Sequence, residues 1–148
     1  MTDFVISDAV LEQVDEIAAI EAQCFSVPWT KKQIISQLPD ESHIFICAVK
    51  DGAVLGYVNA MLAADEAYIS NVAVATQYRR LGVGDKLIEG LSAIGKKREL
   101  SFLTLEARAG NTPALSLYEK YGFVPVGRRK NYYEKPKEDA ILMTLFLK

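Results

Sequence analysis

The segment from residue 67 to residue 96 constrains the fold most, because one continuous piece of sequence predicts a strand, a short turn and a helix. Its first part, 67–75, is a largely apolar run that ends in Val-Ala-Val-Ala, which is typical of a strand. Its last part, 85–96, repeats apolar residues at the spacing of an amphipathic helix. The connection between the two parts is short and polar.

Two glycines, Gly82 and Gly84, stand where this helix begins. Glycine has no Cβ, so backbone N–H groups beside it can approach a ligand closely. The first N–H groups of a helix lack an internal partner, and the N-terminus carries partial positive charge. The segment therefore predicts an anion site suited to a phosphate or pyrophosphate, with Arg79 and Arg80 adding positive charge at its rim.

The rest of the chain supplies further strands and helices in an irregular order. Strands are predicted at 4–6, 44–50, 53–62, 101–108, 123–128 and 140–147, helices at 11–24, 30–38 and 111–121, and a polar loop at 131–139. Asp51-Gly52 is a strong hairpin signal, and Thr30 followed by Gln33 has the pattern of a helix capping box. This order predicts an α/β sandwich with a mixed sheet, without the regular alternation of a dinucleotide-binding fold.

Composition narrows the classes of function. The 148 residues suit one domain, and a net charge of −2 provides no basic footprint for nucleic acid. No apolar run reaches the roughly 20 residues of a membrane span, and Met1-Thr2-Asp3 does not begin a signal peptide, so a cytoplasmic location is expected. Cys24 and Cys47 are predicted to be buried thiols, and with His43 as the single histidine no Cys-His metal pattern is present.

A carboxylate stands in the middle of the strand predicted at 101–108. Alternation puts Thr104, Glu106 and Arg108 on one face of this strand and Leu103, Leu105 and Ala107 on the other. A charged side chain there is unexpected unless it meets a partner or lines a cleft, and the alternative is a solvated face. Tyr118, on the next predicted helix, is either a functional side chain or a core tyrosine with a satisfied hydroxyl.

Two motifs connect these segments to a known superfamily. The pattern Arg79-x-x-Gly82-x-Gly84 after a Val-Ala-Val strand resembles the acetyl-CoA pyrophosphate loop of the GNAT N-acetyltransferases, and the alternative is a turn that merely requires glycines. The run Leu105-Glu106-Ala107-Arg108-Ala109-Gly110-Asn111, followed by Leu117-Tyr118 and Gly122-Phe123, resembles the second signature of the same superfamily. The resemblance implies the GNAT fold, an α/β fold whose mixed, mostly antiparallel central sheet is flanked by helices on both faces. It also implies acetyl-CoA as co-substrate and no metal.

Three further segments narrow the resemblance. They are Cys24-Phe25-Ser26-Val27-Pro28-Trp29, Arg129-Lys130-Asn131-Tyr132-Tyr133 and Glu138-Asp139-Ala140-Ile141-Leu142-Met143. They are similar to segments of the bacterial ribosomal-protein-alanine N-acetyltransferases, over about residues 21–143. That family acetylates the N-terminal alanine of ribosomal protein S18, which is therefore the implied peptide substrate. Two other functions stay open: acetylation of lysine side chains or small amines, and a non-catalytic acyl-CoA-binding domain.

The resemblance also implies roles for individual residues. Glu106 matches the general base, acting directly or through water, and Tyr118 matches the general acid that protonates the leaving thiolate. A backbone N–H within 72–74 is implied to meet the carbonyl oxygen of the thioester. The residues implied to bind acetyl-CoA are Val72, Ala73, Val74, Arg79, Arg80, Leu81, Gly82, Val83, Gly84, Asp85 and Asn111. Leu81 stands where the family often has arginine, which removes one charge near the phosphates.

Aromatic and acidic residues are expected around the peptide groove. The resemblance implies that Pro28-Trp29 and Tyr132-Tyr133 line it, and for the tyrosines the alternative is packing across a hairpin. Glu138 and Asp139 would suit an acidic rim for a basic peptide, and for both the alternative is a solvated loop.

Overall fold

The computed structural model describes residues 4–148, which contain a seven-stranded sheet and four α-helices. The strands are β1 (Val5–Asp8), β2 (His43–Lys50), β3 (Ala53–Ala63), β4 (Glu66–Val74), β5 (Phe102–Arg108), β6 (Val124–Glu134) and β7 (Lys137–Phe146). The helices are α1 (Val14–Cys24), α2 (Lys31–Ser36), α3 (Val83–Lys97) and α4 (Thr112–Lys120), with 3-10 turns at Leu11–Gln13 and Thr76–Tyr78.

The sheet order is β1-β2-β3-β4-β5-β7-β6. In the part of the chain that the structure describes, β4 and β5 are parallel and every other neighbouring pair is antiparallel. The predicted mixed, mostly antiparallel sheet is therefore confirmed. Met1–Asp3, on which the signal-peptide expectation partly depends, lie outside the described residues. Across residues 4–148, no helix has the length and apolar character needed to cross a membrane.

Helices cover both faces of the sheet because each presents an apolar stripe to it. On α3, Val83 and Leu87 are spaced four residues apart and enter one core cluster, whereas Ile17 of α1 enters the other. Tyr57 and Val58 are neighbours on β3 but belong to different clusters, so the two clusters lie on opposite faces of the sheet.

Most predicted elements are confirmed, with ends shifted by a few residues. In the expected capping box at the start of α2, the Gln33 N–H donates to the Thr30 hydroxyl oxygen (3.2 Å). Asp51 and Gly52 form the β2–β3 turn, and both have positive φ. Asn111 caps α4 through its side chain. Local signals of turn and cap chemistry thus located the element boundaries well.

The predicted polar loop at 131–139 is wrong. β6 and β7 continue into it: the register shifts between Arg129 and Tyr133, and the pairing then resumes near the tip, with Tyr133 opposite Glu138 and Glu134 opposite Lys137. The polarity that suggested a loop belongs to an edge strand, β6, whose side chains are almost all exposed to solvent. An edge strand needs no alternating apolar face when no layer of the protein covers it.

The central pair of strands separates partway along its length. The β4–β5 ladder runs from the Glu66–Phe102 pair to the Tyr68–Thr104 pair, and no further pair follows among the described residues. On the other side of β4, the register with β3 shifts so that Ser70 is an extra residue. A bulge of this kind bends a strand and increases its twist. β4 therefore turns away from β5 and leaves an opening between them.

Candidate active site

A cleft with a volume of ≈ 820 Å³ occupies the opening between β4 and β5. Residues 69–72 of β4 and 105–108 of β5 form two of its sides. The other lining residues are 24–27, Asn111, Ala114, Tyr118 and 132–136. Small-molecule sites commonly have volumes of roughly 300–1,000 Å³, so the cleft has room for a substantial ligand.

Glu106 lines this cleft from the middle of β5, and its side chain is 5% exposed. The Tyr68 hydroxyl donates to Oε1 of the carboxylate, and the Arg129 guanidinium forms an ion pair with Oε2 through Nε. The predicted alternation of β5 is confirmed by burial of the opposite set, Leu103, Leu105 and Ala107. A buried carboxylate with a hydroxyl and a cation as partners is an acceptor positioned for a proton from a ligand in the cleft.

Tyr118 lies on α4 and lines the same cleft as Glu106. Its ring packs 5.7 Å from that of Phe123, and the residue is 7% exposed, so both interpretations of this tyrosine have a structural basis. Burial raises the pKa of the Tyr118 hydroxyl to about 12. At neutral pH the hydroxyl therefore keeps its proton and can donate it.

The predicted anion site lies at the N-terminus of α3. Gly82 is the N-cap with φ +81°, and a Cβ built there would meet no atom within 4 Å. Its backbone conformation therefore favours glycine, and open space lies beside the first N–H groups of the helix. Gly84 serves packing, because a Cβ there would lie 3.1 Å from Leu117 Cδ2 on α4. The sequence analysis assigned both glycines to the anion site. In the structure, Gly82 provides a left-handed backbone at the N-cap, whereas Gly84 allows α3 to pack closely on α4.

Arg79, Arg80 and Leu81 are exposed at the approach to α3. The Arg79 guanidinium is partly used within the protein, since Nε donates to the Val74 carbonyl (3.3 Å) and Nη2 contacts Cys24 Sγ (3.4 Å). Cys24 is half-buried and lines the cleft, so the expectation of two buried thiols holds only for Cys47.

Asp85 connects α3 to the end of α4 through its side chain. The carboxylate accepts hydrogen bonds from Lys120 Nζ (2.6 Å) and the Tyr121 hydroxyl (2.8 Å). These bonds, that from Lys120 most of all, hold the pKa of Asp85 below its ordinary value. Any contact of Asp85 with a phosphate would therefore come from its backbone N–H in the first helical turn.

The other residues predicted to bind acetyl-CoA divide between cleft and core. Val72 and Asn111 line the cleft, and Asn111 Oδ1 also accepts the Ala114 N–H (3.3 Å). The side chains of Ala73 and Val83 are buried at 4% and 1% exposure, so both offer a ligand little more than their backbone.

Two segments face each other across the mouth of the cleft. Tyr132 and Tyr133 lie on the β6 side, with the rings packed edge to face at a centroid distance of 5.1 Å. The opposite side is formed by 24–27, whereas Pro28 and Trp29 are absent from the lining. Trp29 instead packs on the core cluster under α1, which corrects the prediction that it lines the groove. The Ser26 hydroxyl donates to the Lys135 carbonyl (2.6 Å) and connects the two sides.

Glu138 and Asp139 have partners within the hairpin region. Glu138 accepts from Arg108 Nη1 (3.2 Å) and from the Gly110 N–H (2.6 Å). Asp139 accepts from Arg128 Nε (2.7 Å) and from a backbone N–H of the neighbouring strand. The solvated-loop interpretation is therefore wrong for both residues, and their charges are largely committed to positioning the β6–β7 hairpin on the end of β5.

The sequence reasoning missed Tyr68, Arg129 and Glu21, all close to the cleft. Tyr68 and Arg129 reach Glu106 from other strands, and no local pattern indicates such contacts. Glu21 did carry a signal, because this charged residue stands in the apolar stripe of α1, four residues after Ile17, and it is 1% exposed.

Comparisons with known proteins agree with this architecture. The model of the acetyltransferase (GNAT) family matches residues 14–123. A protein of Escherichia coli (strain K12) named ribosomal protein bS18-alanine N-acetyltransferase is 36% identical over 139 residues, which cover 91% of this chain and 93% of that protein. A Bacillus subtilis (strain 168) protein provisionally given the same name is 37% identical over 134 residues, covering 90% of this chain and 89% of that protein.

A solved structure extends the similarity to three dimensions. The crystal structure of the ribosomal-protein-S18-alanine N-acetyltransferase from Escherichia coli superposes with a TM-score of 0.91 at 32% sequence identity, covering 98% of this chain and 94% of that one. The family model covers well over half of the chain, and the separation of β4 from β5 supplies the cleft on which the candidate site is built. The chain therefore belongs to the GNAT acetyltransferase family, among the ribosomal protein bS18-alanine N-acetyltransferases.

Proposed function

We propose that this enzyme transfers an acetyl group from acetyl-CoA to the N-terminal α-amine of a protein, and that the N-terminal alanine of ribosomal protein S18 is its substrate. The observation that carries the proposal is the position of Glu106. It is a nearly buried carboxylate that lines the same cleft as Tyr118, in a chain whose relatives are named for this reaction. A ribosomal protein substrate would locate the reaction in the cytoplasm.

The residues at the start of α3 fit the pyrophosphate of acetyl-CoA. The left-handed N-cap at Gly82 leaves space for an anion beside the helix N-terminus, where backbone N–H groups and the helix dipole favour negative charge. Arg80 adds an exposed cation at this end. From there the cofactor would extend along 72–74 toward the cleft, and Asn111 would contact it from α4. We propose that these elements act within a single acetyltransferase domain.

In the proposed mechanism, each residue acts at a defined point of the reaction. Acetyl-CoA supplies an activated acetyl thioester. The α-amino group of a peptide ordinarily has a pKa of about 7.7–8.0, so a base is needed to deprotonate much of it near neutral pH, and Glu106 would accept that proton directly or through water. A backbone N–H of 72–74 would stabilise negative charge on the carbonyl oxygen. Tyr118 would donate a proton to the departing thiolate, since its hydroxyl is protonated at neutral pH.

The reaction class can be tested with two synthetic peptides and acetyl-CoA, with mass spectrometry of the products. One peptide carries the S18 N-terminal sequence with a free α-amine, and the other has that amine blocked and its lysines free. We expect acetylation only at the free N-terminus. A parallel reaction with the Glu106→Gln variant measures how much acetyl transfer occurs without the proposed base.

Acetylation at lysine would instead indicate a broader protein acetyltransferase. Absence of reaction with both peptides, while acetyl-CoA still binds by calorimetry, would overturn the proposed substrate. Absence of acetyl-CoA binding as well would overturn the cofactor assignment.

A further inference from the structure

A buried carboxylate outside the proposed chemistry connects three elements beside the cleft. Glu21 of α1 is 1% exposed and accepts three hydrogen bonds. The Trp29 N–H donates to Oε2 (2.9 Å), while the Tyr57 hydroxyl and Asn71 Nδ2 both donate to Oε1. A buried carboxylate is costly unless hydrogen bonds satisfy it, so these three donors act together with Glu21 as one unit.

The Asn71 contact lies where β4 leaves β5. Asn71 follows the bulge residue Ser70, and its backbone N–H donates to the buried side-chain oxygen of Asn59 (2.9 Å). Both its main chain and its side chain are therefore anchored to the face under α1. The next residues, 72–74, are paired with β3 but have no β5 partner among the described residues. The orientation of this segment, of which Val72 lines the cleft, depends on this anchor more than it would in a fully paired strand.

The Trp29 contact positions the opposite side of the cleft. Residues 25–27 line the cleft and lie between the end of α1 and Trp29. Glu21 anchors the far end of this short loop through the Trp29 N–H, and the near end continues from α1 itself, where the Phe25 N–H donates to the Glu21 carbonyl (3.0 Å). One residue therefore contacts both ends of the loop and the bulged part of β4.

We propose that Glu21 is a positioning residue that sets the separation between the 25–27 loop and residues 71–74 of β4. It acts on the reaction through these two segments, without contact to the reacting atoms. The expected loss of turnover rests on the proposed function. The expected change in the two segments does not, because it concerns the protein without substrate. Misplacement by about 1 Å is enough to slow an enzyme by as much as about 100-fold.

The test compares Glu21→Gln with Glu16→Gln. The amide that replaces the Glu21 carboxylate has one acceptor oxygen and adds two donors, so at least one of the three donors loses its partner. Glu16 is a matched control because it also lies on α1 and accepts a β3 backbone N–H, that of Val54 (3.0 Å), but it does not line the cleft.

We expect hydrogen exchange of Glu21→Gln to rise by about tenfold or more in 25–29 and 71–74, with other segments changed little. Turnover of the alanine peptide should fall by about 10- to 100-fold, and by more than the Kd for acetyl-CoA rises, because residues 72–74 shift while the proposed pyrophosphate site at the start of α3 is untouched. Glu16→Gln should leave exchange in both cleft segments and turnover within about twofold of wild type.

Equal exchange changes in the two variants, or changes spread over the whole sheet, would reduce Glu21 to a general stabilising residue and overturn the proposal. Unchanged exchange and turnover in folded Glu21→Gln would overturn it as well. A wild type that does not acetylate the peptide would contradict the proposed function, while the exchange experiment would still decide the positioning role. If Glu21→Gln does not fold, Tyr57→Phe removes one donor and keeps the core ring, and unchanged exchange at 71–74 in that variant would overturn the proposal.

Discussion

The Arg129 guanidinium forms an ion pair with the Glu106 carboxylate across an intervening strand, because β7 lies between β5 and β6 in the sheet. The two side chains differ sharply in environment, since that of Arg129 is 56% exposed and that of Glu106 only 5%. The cation can therefore move into solvent while the carboxylate stays in the cleft. A substrate ammonium that approaches Glu106 meets a carboxylate that already has a positive partner.

Replacing this partner should strengthen peptide binding. Arg129→Gln removes the competing cation but leaves the Tyr68 hydroxyl on Glu106. Because the Arg129 side chain is more than half exposed, solvent screens this ion pair, and a contribution of about 0.2–1 kcal/mol corresponds to a fall in the peptide KM of about one and a half- to fivefold, with the acetyl-CoA KM unchanged. Steady-state kinetics with each substrate varied checks this, and Arg128→Gln is a control whose guanidinium bonds to Asp139. A higher peptide KM for Arg129→Gln would mean that Arg129 binds substrate instead.

Glu106→Gln should remove the proposed base while preserving the shape of the cleft. Turnover is expected to fall by roughly 100- to 10,000-fold, and acetyl-CoA affinity measured by calorimetry should stay close to wild type. Glu66→Gln, at an exposed position at the start of β4, provides a matched control that should retain activity. Equal losses of turnover and acetyl-CoA affinity would contradict the base assignment.

Tyr118→Phe tests proton donation separately from packing. The phenylalanine ring can keep the contact with Phe123, so the melting temperature should change little. Turnover should fall by roughly 10- to 10,000-fold if the hydroxyl protonates the thiolate. Because burial raises the pKa of Tyr118 to about 12, ionisation of this residue should not limit the wild-type rate between pH 7 and about pH 10. Wild-type kinetics in the variant would leave Tyr118 with a packing role alone.

Gly82→Val addresses the anion site, and Gly52→Val provides an unusually close control. Both glycines have φ near +80°, and neither would bring a Cβ within 4 Å of another atom, so the backbone penalty should be similar. Gly52 lies in the β2–β3 turn, outside the cleft lining. We expect acetyl-CoA affinity to fall by about tenfold or more only in Gly82→Val. Similar affinities for the two variants by calorimetry would refute the loop assignment.

The Asp85–Lys120 contact predicts a pH-dependent contribution to stability. The folded-state pKa of Asp85 is lowered, so its ion pair stabilises the protein above the ordinary aspartate pKa, and this contribution is lost as pH falls through the folded value. Asp85→Asn should therefore melt at a lower temperature than wild type at pH 7, and the difference should shrink once the pH falls below the ordinary aspartate pKa and vanish below the lowered folded-state pKa. Asp15→Asn, which breaks an ion pair with Lys31 at an 82% exposed carboxylate, should change little at either pH. A difference for Asp85→Asn that is constant with pH would contradict the ion-pair explanation.

Sequence reasoning predicted what depends on local chemistry. The face that Glu106 occupies follows from the two-residue period of a strand, and Gly82 and Thr30 follow from turn and cap preferences. The bulge at Ser70 could not be predicted, because a single extra residue leaves no mark in a largely apolar strand. The Glu106–Arg129 pair depends on the register of three strands, which no short segment encodes.

At the hairpin of residues 131–139, local composition instead led to a wrong prediction. Residues 131–134 lie on the exposed edge strand β6, so the composition of the segment resembles that of a loop although most of it belongs to β6 and β7. Glu21 was only partly predictable from the sequence. Its place in the apolar stripe of α1 is visible in the sequence, but its three donors come from parts of the chain up to 50 residues away.

The bond between the Ser26 hydroxyl and the Lys135 carbonyl has a topological consequence for what can enter the cleft. It joins the two sides at the mouth, and Arg108 holds the same hairpin tip from β5 through the Lys135 and Pro136 carbonyls. The opening of the cleft is therefore closed into a ring by this hydrogen bond. A polypeptide can pass through such a ring by a free end, whereas the middle of a chain can enter only if the ring opens. The closed opening can thus favour a chain terminus of the substrate over an internal residue, independently of which substrate side chains are recognised.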